Sequence, residues 1–162
     1  MNYPELIVFD LDYTLWDCGG TWCDCLTPPF SQTAAGPVDR HGRLVTLYRD
    51  VEDILKFCED NELTMALASR THEPDWARKL IKMLGINHLF SYEEIFPSTK
   101  VNHFNNLQRD SGISLENMLF FDDEMRNIHE VDAMGVTAIY VNDGMTYSLF
   151  EDGLRQWSNS RP

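Results

Sequence analysis

Two carboxylates stand two residues apart in Asp10-Leu11-Asp12, directly after the apolar run Leu6-Ile7-Val8-Phe9. In an extended chain, side chains at i and i+2 point the same way, so both acids are expected to enter one crevice beyond a strand end. A second apolar run, Met118-Leu119-Phe120-Phe121, ends in Asp122-Asp123-Glu124. If the two runs are neighbouring strands, Asp10, Asp12, Asp122 and Asp123 converge on one site. Bare carboxylates so placed repel by several kcal/mol at intermediate dielectric. A hard divalent cation held by oxygens removes that repulsion. Magnesium is the expected ion, because it accepts two or three protein oxygens and completes its shell with waters and a substrate phosphate.

Two further segments add what a phosphate needs. Thr64 to Ala68 runs into Ser69-Arg70-Thr71, which offers hydroxyls and a turn with free backbone N–H groups before a helix expected near Pro74. Lys100 is isolated in a stretch poor in other bases, where an ammonium can neutralise a phosphoryl oxygen or a carboxylate nucleophile. Each of these residues also has a plainer role. An Asp-x-Asp can be turn chemistry, Asp122-Asp123 a helix N-terminal pair favoured by the dipole, Ser69 a cap and Lys100 a solvated side chain.

The elements that must position these groups are legible as short apolar runs between amphipathic stretches. Leu6 to Phe9, Thr64 to Ala68, Met118 to Phe121, Ala138 to Val141 and a weaker run around Leu89 to Phe96 lack the alternation of a half-exposed sheet and read as buried parallel strands. Helical spacing links Val51, Ile54, Leu55 and Cys58; Trp76, Leu80, Ile81 and Leu84; Phe104 and Leu107; and Ile128, Val131 and Met134. Gly85, Gly112 and Gly135 follow where C-terminal caps are wanted, and Tyr147 to Trp157 predicts a last helix capped by Thr146. Strand and helix alternating this way predict a doubly wound, Rossmann-like parallel α/β sheet with helices on both faces, in one domain over residues 1–162.

Residues from about 17 to 47 break the rhythm with Gly19-Gly20, Pro28-Pro29 and Gly36-Pro37. They predict a small cap insertion after the first strand, with a hairpin near Val38 to Leu47. Trp16, Trp22 and Phe30 flank it and either wall a substrate or pack the insertion down. Cys18, Cys23 and Cys25 match no zinc-ribbon spacing and are expected as free thiols, ahead of a disulfide or sulfenic chemistry at the rim, or zinc completed by His41 or an acid. His72 and His103 lie close in sequence to the motif residues, yet nothing aims them at the site, and solvated or capping roles are expected.

The chain has 162 residues with 26 Asp+Glu against 13 Lys+Arg, a formal net charge of -13. Such a surface disfavours nucleic acid and anionic membranes as partners. Hydrophobic residues at 43% suffice for one core. No basic n-region or long apolar run marks a signal or a membrane span, and four cysteines are modest usage, so a cytoplasmic or nuclear protein is expected. A monomer is expected from its size.

Asp10 to Leu15, then Ser69, then Lys100, then Asp122-Asp123 with Asn127 beyond, resemble the four-motif signature of the haloacid dehalogenase superfamily in its phosphatase branch. The order matches along nearly the whole chain. Val8 to Trp16, Ala68 to Thr71 and Phe120 to Glu124 more closely resemble its eukaryotic magnesium-dependent phosphatases. The resemblance implies a Rossmann-like sheet with a small cap. It also implies a phosphomonoesterase with an aspartyl-phosphate intermediate, acting on phosphotyrosine in proteins or on sugar phosphates such as fructosamine phosphates. Asp10 would attack phosphorus, and Asp12 would protonate the leaving oxygen and then deprotonate water. Magnesium would lie between the Asp10 carboxylate, the Asp12 backbone carbonyl and Asp123, with Asp122 or Asn127 reaching it through water; the choice between Asp122 and Asp123 stays open. Ser69 and the backbone N–H groups near Leu11 and Arg70 would hold phosphoryl oxygens, while Lys100 offsets charge. Arg70 either grips the phosphate or pairs with surface acids, and Trp22 is the candidate aromatic contact.

Two other functions fit parts of the pattern. A phosphoaspartate receiver also gathers acids, a hydroxyl residue and a lysine around magnesium, but Asp12 so close to Asp10 would hasten loss of the phosphoryl group. A non-catalytic phosphoprotein-binding module has no use for the full set of catalytic positions.

Overall fold

Leu6, Ile7, Val8 and Phe9 are all fully buried, which is what a strand covered on both faces requires. The computed structural model describes residues 2–161. Among these, the chain order is β1 (Leu6–Phe9), β2 (Trp16–Asp17), β3 (Ser31–Thr33), β4 (Gly36–Val38), β5 (Thr46–Leu47), α1 (Val51–Asp60), β6 (Thr64–Ser69), α2 (Pro74–Met83) and β7 (Tyr92–Ile95). There follow α3 (Lys100–Ser111), β8 (Met118–Asp122), α4 (Met125–Asp132), β9 (Thr137–Tyr140) and α5 (Tyr147–Asn159).

The central sheet runs β7-β6-β1-β8-β9 with every neighbouring pair parallel, the doubly wound α/β arrangement expected. Alternate residues of β1 serve opposite faces. Ile7 and Phe9 join Ile54, Leu80 and Phe150 from α1, α2 and α5, whereas Leu6 and Val8 join Phe104, Leu107 and Val131 from α3 and α4. Each such buried side chain contributes roughly 1.5–3 kcal/mol, which fixes the ends of β1, β6 and β8 at one rim. Among the described residues, no helix is long and apolar enough to cross a membrane.

Local signals act as expected at several boundaries. Gly112 ends α3 in the left-handed region at φ 72°, and the Thr146 hydroxyl accepts from the Leu149 N–H at 3.1 Å to start α5. The last helix runs to Asn159, beyond the Trp157 limit of its apolar pattern.

The insertion differs from expectation in register. Its ends are closed by an antiparallel pair, Trp16 with Leu47 and Asp17 with Thr46. The two-stranded hairpin lies at Ser31–Val38, and of the one expected near Val38 to Leu47 there is a single antiparallel bridge, Val38 with Leu44. Two features account for this. Thr33 donates its hydroxyl to the Gly36 carbonyl at 2.7 Å across the turn. Asp39 accepts the N–H groups of Thr27, His41 and Arg43, which folds residues 39–43 into a loop and leaves Thr46–Leu47 for Trp16–Asp17.

Candidate active site

Asp10 follows β1, Ser69 ends β6 and Asp122 ends β8, so three neighbouring parallel strands deliver their polar ends to one rim. The cavity there has a volume of about 290 Å3 and is walled by Asp10, Asp12, Ser69, Lys100 and Asp123 at its floor. Trp22, Asp24, Arg70, Thr71, His72, Glu124, Arg126 and Asn127 complete it.

Lys100 is the first residue of α3, where a cation opposes the helix dipole. It is nevertheless fully buried, because its Nζ lies 3.1 Å from Asp10 Oδ1 and 3.1 Å from Asp122 Oδ2 and donates to the Ala68 carbonyl. Burial pulls its pKa down, but the two carboxylates outweigh it and the ammonium is held charged. Asp10, Asp122 and Asp123 bring one carboxylate oxygen each to within 4.8 Å of one another. Lys100 thus serves two of the three carboxylates, and the surplus negative charge shows in the titration of Asp10 and Asp123. Burial, and then the Asp122 charge, push Asp10 well above the usual carboxylate range, and burial pushes Asp123 up to about 6. A cluster of hard oxygens with surplus negative charge suits a divalent cation.

Of the four carboxylates expected on one site, Asp10, Asp122 and Asp123 form the tight cluster and Asp12 stands beside it on the same cavity. The strand ends at Phe9, and Tyr13 adopts a left-handed φ of 61°, so Asp10 and Asp12 are not on one extended run. The Asp12 carboxylate lines the same cavity but turns to the insertion, where its Oδ1 accepts the Trp16 indole N–H at 2.8 Å and the Cys23 N–H at 2.9 Å. Burial raises its pKa, and those two donors work against the rise.

Asp122 and Asp123 part company. Asp122 is fully buried; besides Lys100 it accepts the Glu124 N–H at 2.8 Å and the Asn127 amide at 3.1 Å, while Asp123 faces the cavity. Arg70 donates to Asn127 Oδ1 at 2.9 Å, so its guanidinium is tied across the cavity wall rather than to surface acids. Ser69 is buried, and its Oγ accepts the Thr71 N–H at 3.3 Å. Leu11 packs its side chain in the core, leaving only its main chain for a ligand.

The aromatic candidates separate as well. Trp22 is 52% exposed at the cavity wall, edge-on to Tyr13, whereas Trp16 is fully buried and Phe30 packs against Trp76. The cysteines are free thiols, with Cys18 and Cys23 buried and Cys25 exposed. Of the two histidines, only His103 departs from the solvated or capping roles expected, since His72 is exposed. His103 is buried with Nε2 3.0 Å from the Phe96 carbonyl, and His72 lines the cavity. Asp24, Glu124 and Arg126 were not singled out in the sequence; their only signal is adjacency to Cys23 or to the Asp122-Asp123 pair.

Comparison with known proteins agrees with this geometry. The family model described as Acid Phosphatase matches residues 2–160. Human "Magnesium-dependent phosphatase 1" is 40% identical over 160 residues, covering 98% of this chain and 89% of that protein. A HAD-like hydrolase superfamily protein of Schizosaccharomyces pombe is 34% identical over 150 residues, covering 85% of each. Among solved structures, a HAD-superfamily hydrolase from Ehrlichia chaffeensis superposes with a TM-score of 0.66 at 15% identity, covering 98% of this chain and 100% of that one, which speaks for the fold. With a family model spanning nearly all its residues and a relative 40% identical over the same length, the chain belongs to the acid phosphatase family, built on a haloacid dehalogenase-like fold.

Proposed function

We propose that the protein is a magnesium-dependent phosphoric monoester hydrolase that works through an aspartyl-phosphate on Asp10. The observation that carries this reading is the Asp10–Asp122–Asp123 cluster, two of whose carboxylates meet the Lys100 ammonium, with Asp12 on the same cavity. Asp10 and Asp123 would hold magnesium, since Asp123 faces the cavity and Asp122 is engaged by Lys100, Glu124 and Asn127. The Asp12 main-chain carbonyl belongs to the same proposed shell. Bound there, the ion supplies charge for the phosphoryl oxygens and lets Asp10 stay ionised.

The chain's own residues then divide the work. An Asp10 oxygen attacks phosphorus as the bond to the leaving oxygen breaks, and Asp12 gives that oxygen its proton. In the second half, water attacks phosphorus, its proton passes to Asp12, and Asp10 is released as carboxylate. Ser69, the main-chain N–H groups near Leu11 and Arg70, and Lys100 stabilise the charge on the transferring group. The close Asp12 favours hydrolysis over a lasting phosphoprotein, which separates this site from a receiver. Trp22 and Arg70 at the wall suit a substrate whose phosphate carries a ring or a polar chain, such as phosphotyrosine in a protein or a fructosamine phosphate.

The test is phosphate release from an aryl phosphate, followed by a screen of phosphotyrosyl peptides and sugar phosphates. Turnover that requires magnesium and stops with chelator is expected. No release from any phosphomonoester in the presence of magnesium would remove the reading.

A further inference from the structure

Asp12 is held from a direction that the catalytic motifs do not explain. Two N–H donors, the Trp16 indole at 2.8 Å and the Cys23 main chain at 2.9 Å, converge on the single oxygen Oδ1, with Cys18 Sγ 3.7 Å away. Trp16, Cys18 and Cys23 are fully buried, so water does not compete for these bonds. Trp16 is itself fixed three ways. Its carbonyl accepts the Tyr13 N–H at 2.9 Å, its N–H donates to the Leu11 carbonyl at 3.3 Å, and its backbone pairs with Leu47 to close the insertion. A tryptophan whose only polar side-chain atom is spent on one carboxylate oxygen, at the root of a 30-odd-residue excursion, does more than fill space.

We propose that Trp16, seconded by the Cys23 N–H, is the positioning residue of the general acid: it pins Asp12 Oδ1 and thereby presents Oδ2 as the oxygen that exchanges the proton with the leaving group and the water. This rests on the role given to Asp12 above. The reaction it serves is balanced. As Asp10 forms its bond to phosphorus, the electron pair of the breaking P–O bond stays on the leaving oxygen, and the proton on Oδ2 moves to it. In the second step the proton of the attacking water returns to Oδ2. Trp16 gives up nothing; its N–H only fixes which carboxylate oxygen swings over the cavity. The insertion therefore has a catalytic task in addition to shaping the mouth, and the spacing from Asp12 to Trp16 is part of the active site.

Leaving-group dependence separates this role from a structural one. Dinitrophenolate leaves its phosphate ester without protonation, while the alkoxide of an alkyl phosphate needs the acid. The second-order constant kcat/KM reports the steps through Asp10 phosphorylation, where only the acid role of Asp12 counts. For Trp16→Phe, kcat/KM on the alkyl phosphate should fall by about 10- to 100-fold, in keeping with the cost of misplacing a catalytic group, while that on the dinitrophenyl ester stays within about twofold. Asp12→Ala should show the same pattern with a larger loss, of order 10²–10⁴. Equal losses on both esters in Trp16→Phe, or none on either, would overturn the proposal and leave the Asp12 role standing. Undiminished alkyl-ester hydrolysis by Asp12→Ala would instead remove the general acid itself. Should Trp16→Phe not fold, replacing the indole N–H by sulfur with benzothienylalanine keeps the ring and deletes only the donor, and the same two outcomes decide.

Discussion

Lys100 Nζ lies 3.1 Å from Asp10 Oδ1 in a pocket where both side chains are nearly sealed from solvent. The same ammonium lies 3.1 Å from Asp122 Oδ2, so it is the counter-charge for two buried acids on neighbouring strands. Removing one partner of a buried ion pair strands the other. Lys100→Met is therefore expected to lower stability by roughly 3–5 kcal/mol in the absence of magnesium. Phosphate release should fall by about 10²–10³, the range seen when one donor to a developing charge is lost. Denaturant melts and steady-state kinetics on the same preparation check both. Lys100→Arg should rescue little, since a planar fork does not fit a point-charge site that also donates to the Ala68 carbonyl.

Asp123 gives a pH signature. Its carboxyl is pushed up to about 6, with burial the largest cause. An acid whose pKa is higher in the folded state binds more protons folded than unfolded, so its contribution favours the metal-free fold at low pH and is lost as pH rises through about 6. Magnesium must displace that proton. Its apparent affinity should fall by about tenfold per pH unit below the Asp123 pKa if one proton is displaced. Calorimetric titration at about pH 7.5, 6 and 5 should give progressively weaker binding. Binding that is constant or tightens on acidification would contradict a site built on Asp123.

Much of this is legible in the sequence, because β1, β6 and β8 are short apolar runs that lead into polar residues. Burial on both faces forces such runs into the sheet centre, and the polar ends then have one place to go. Lys100 is legible only as an isolated base; its burial at a helix N-terminus, against the dipole, needs the carboxylates of two other strands to make sense. The turn of Asp12 towards Trp16 is not legible. It depends on the left-handed Tyr13 and on tertiary pairing of the insertion's ends, neither of which leaves a periodic trace. The hairpin expected near Val38 to Leu47 is reduced to the Val38–Leu44 bridge for a similar reason, since Asp39 gathers the N–H groups of Thr27, His41 and Arg43 and curls the chain between them into a loop.

Gly153 tests how α5 presses on the sheet behind the site. In an open helix interior, Gly→Ala gains about 1 kcal/mol from propensity. Here a Cβ would stand 2.6 Å from Phe121 Cζ and 2.8 Å from Cε1, and that ring is stacked on Phe9 at 5.7 Å with nowhere to retreat. Overpacking of about 1–3 kcal/mol should win, so Gly153→Ala is expected to be destabilising. A urea midpoint above wild type would mean that the helix rides farther from β8 than the structure places it.

The most direct test of the central claim is hydrolysis of a small aryl phosphate by Asp10→Asn, with its fold verified by a thermal melt and magnesium supplied in excess. If Asp10 is the nucleophile and shares the cation site, turnover should fall by about 10³-fold or more and no longer respond to magnesium. Magnesium-dependent turnover within about tenfold of wild type would contradict the assignment of Asp10 and, with it, the covalent route.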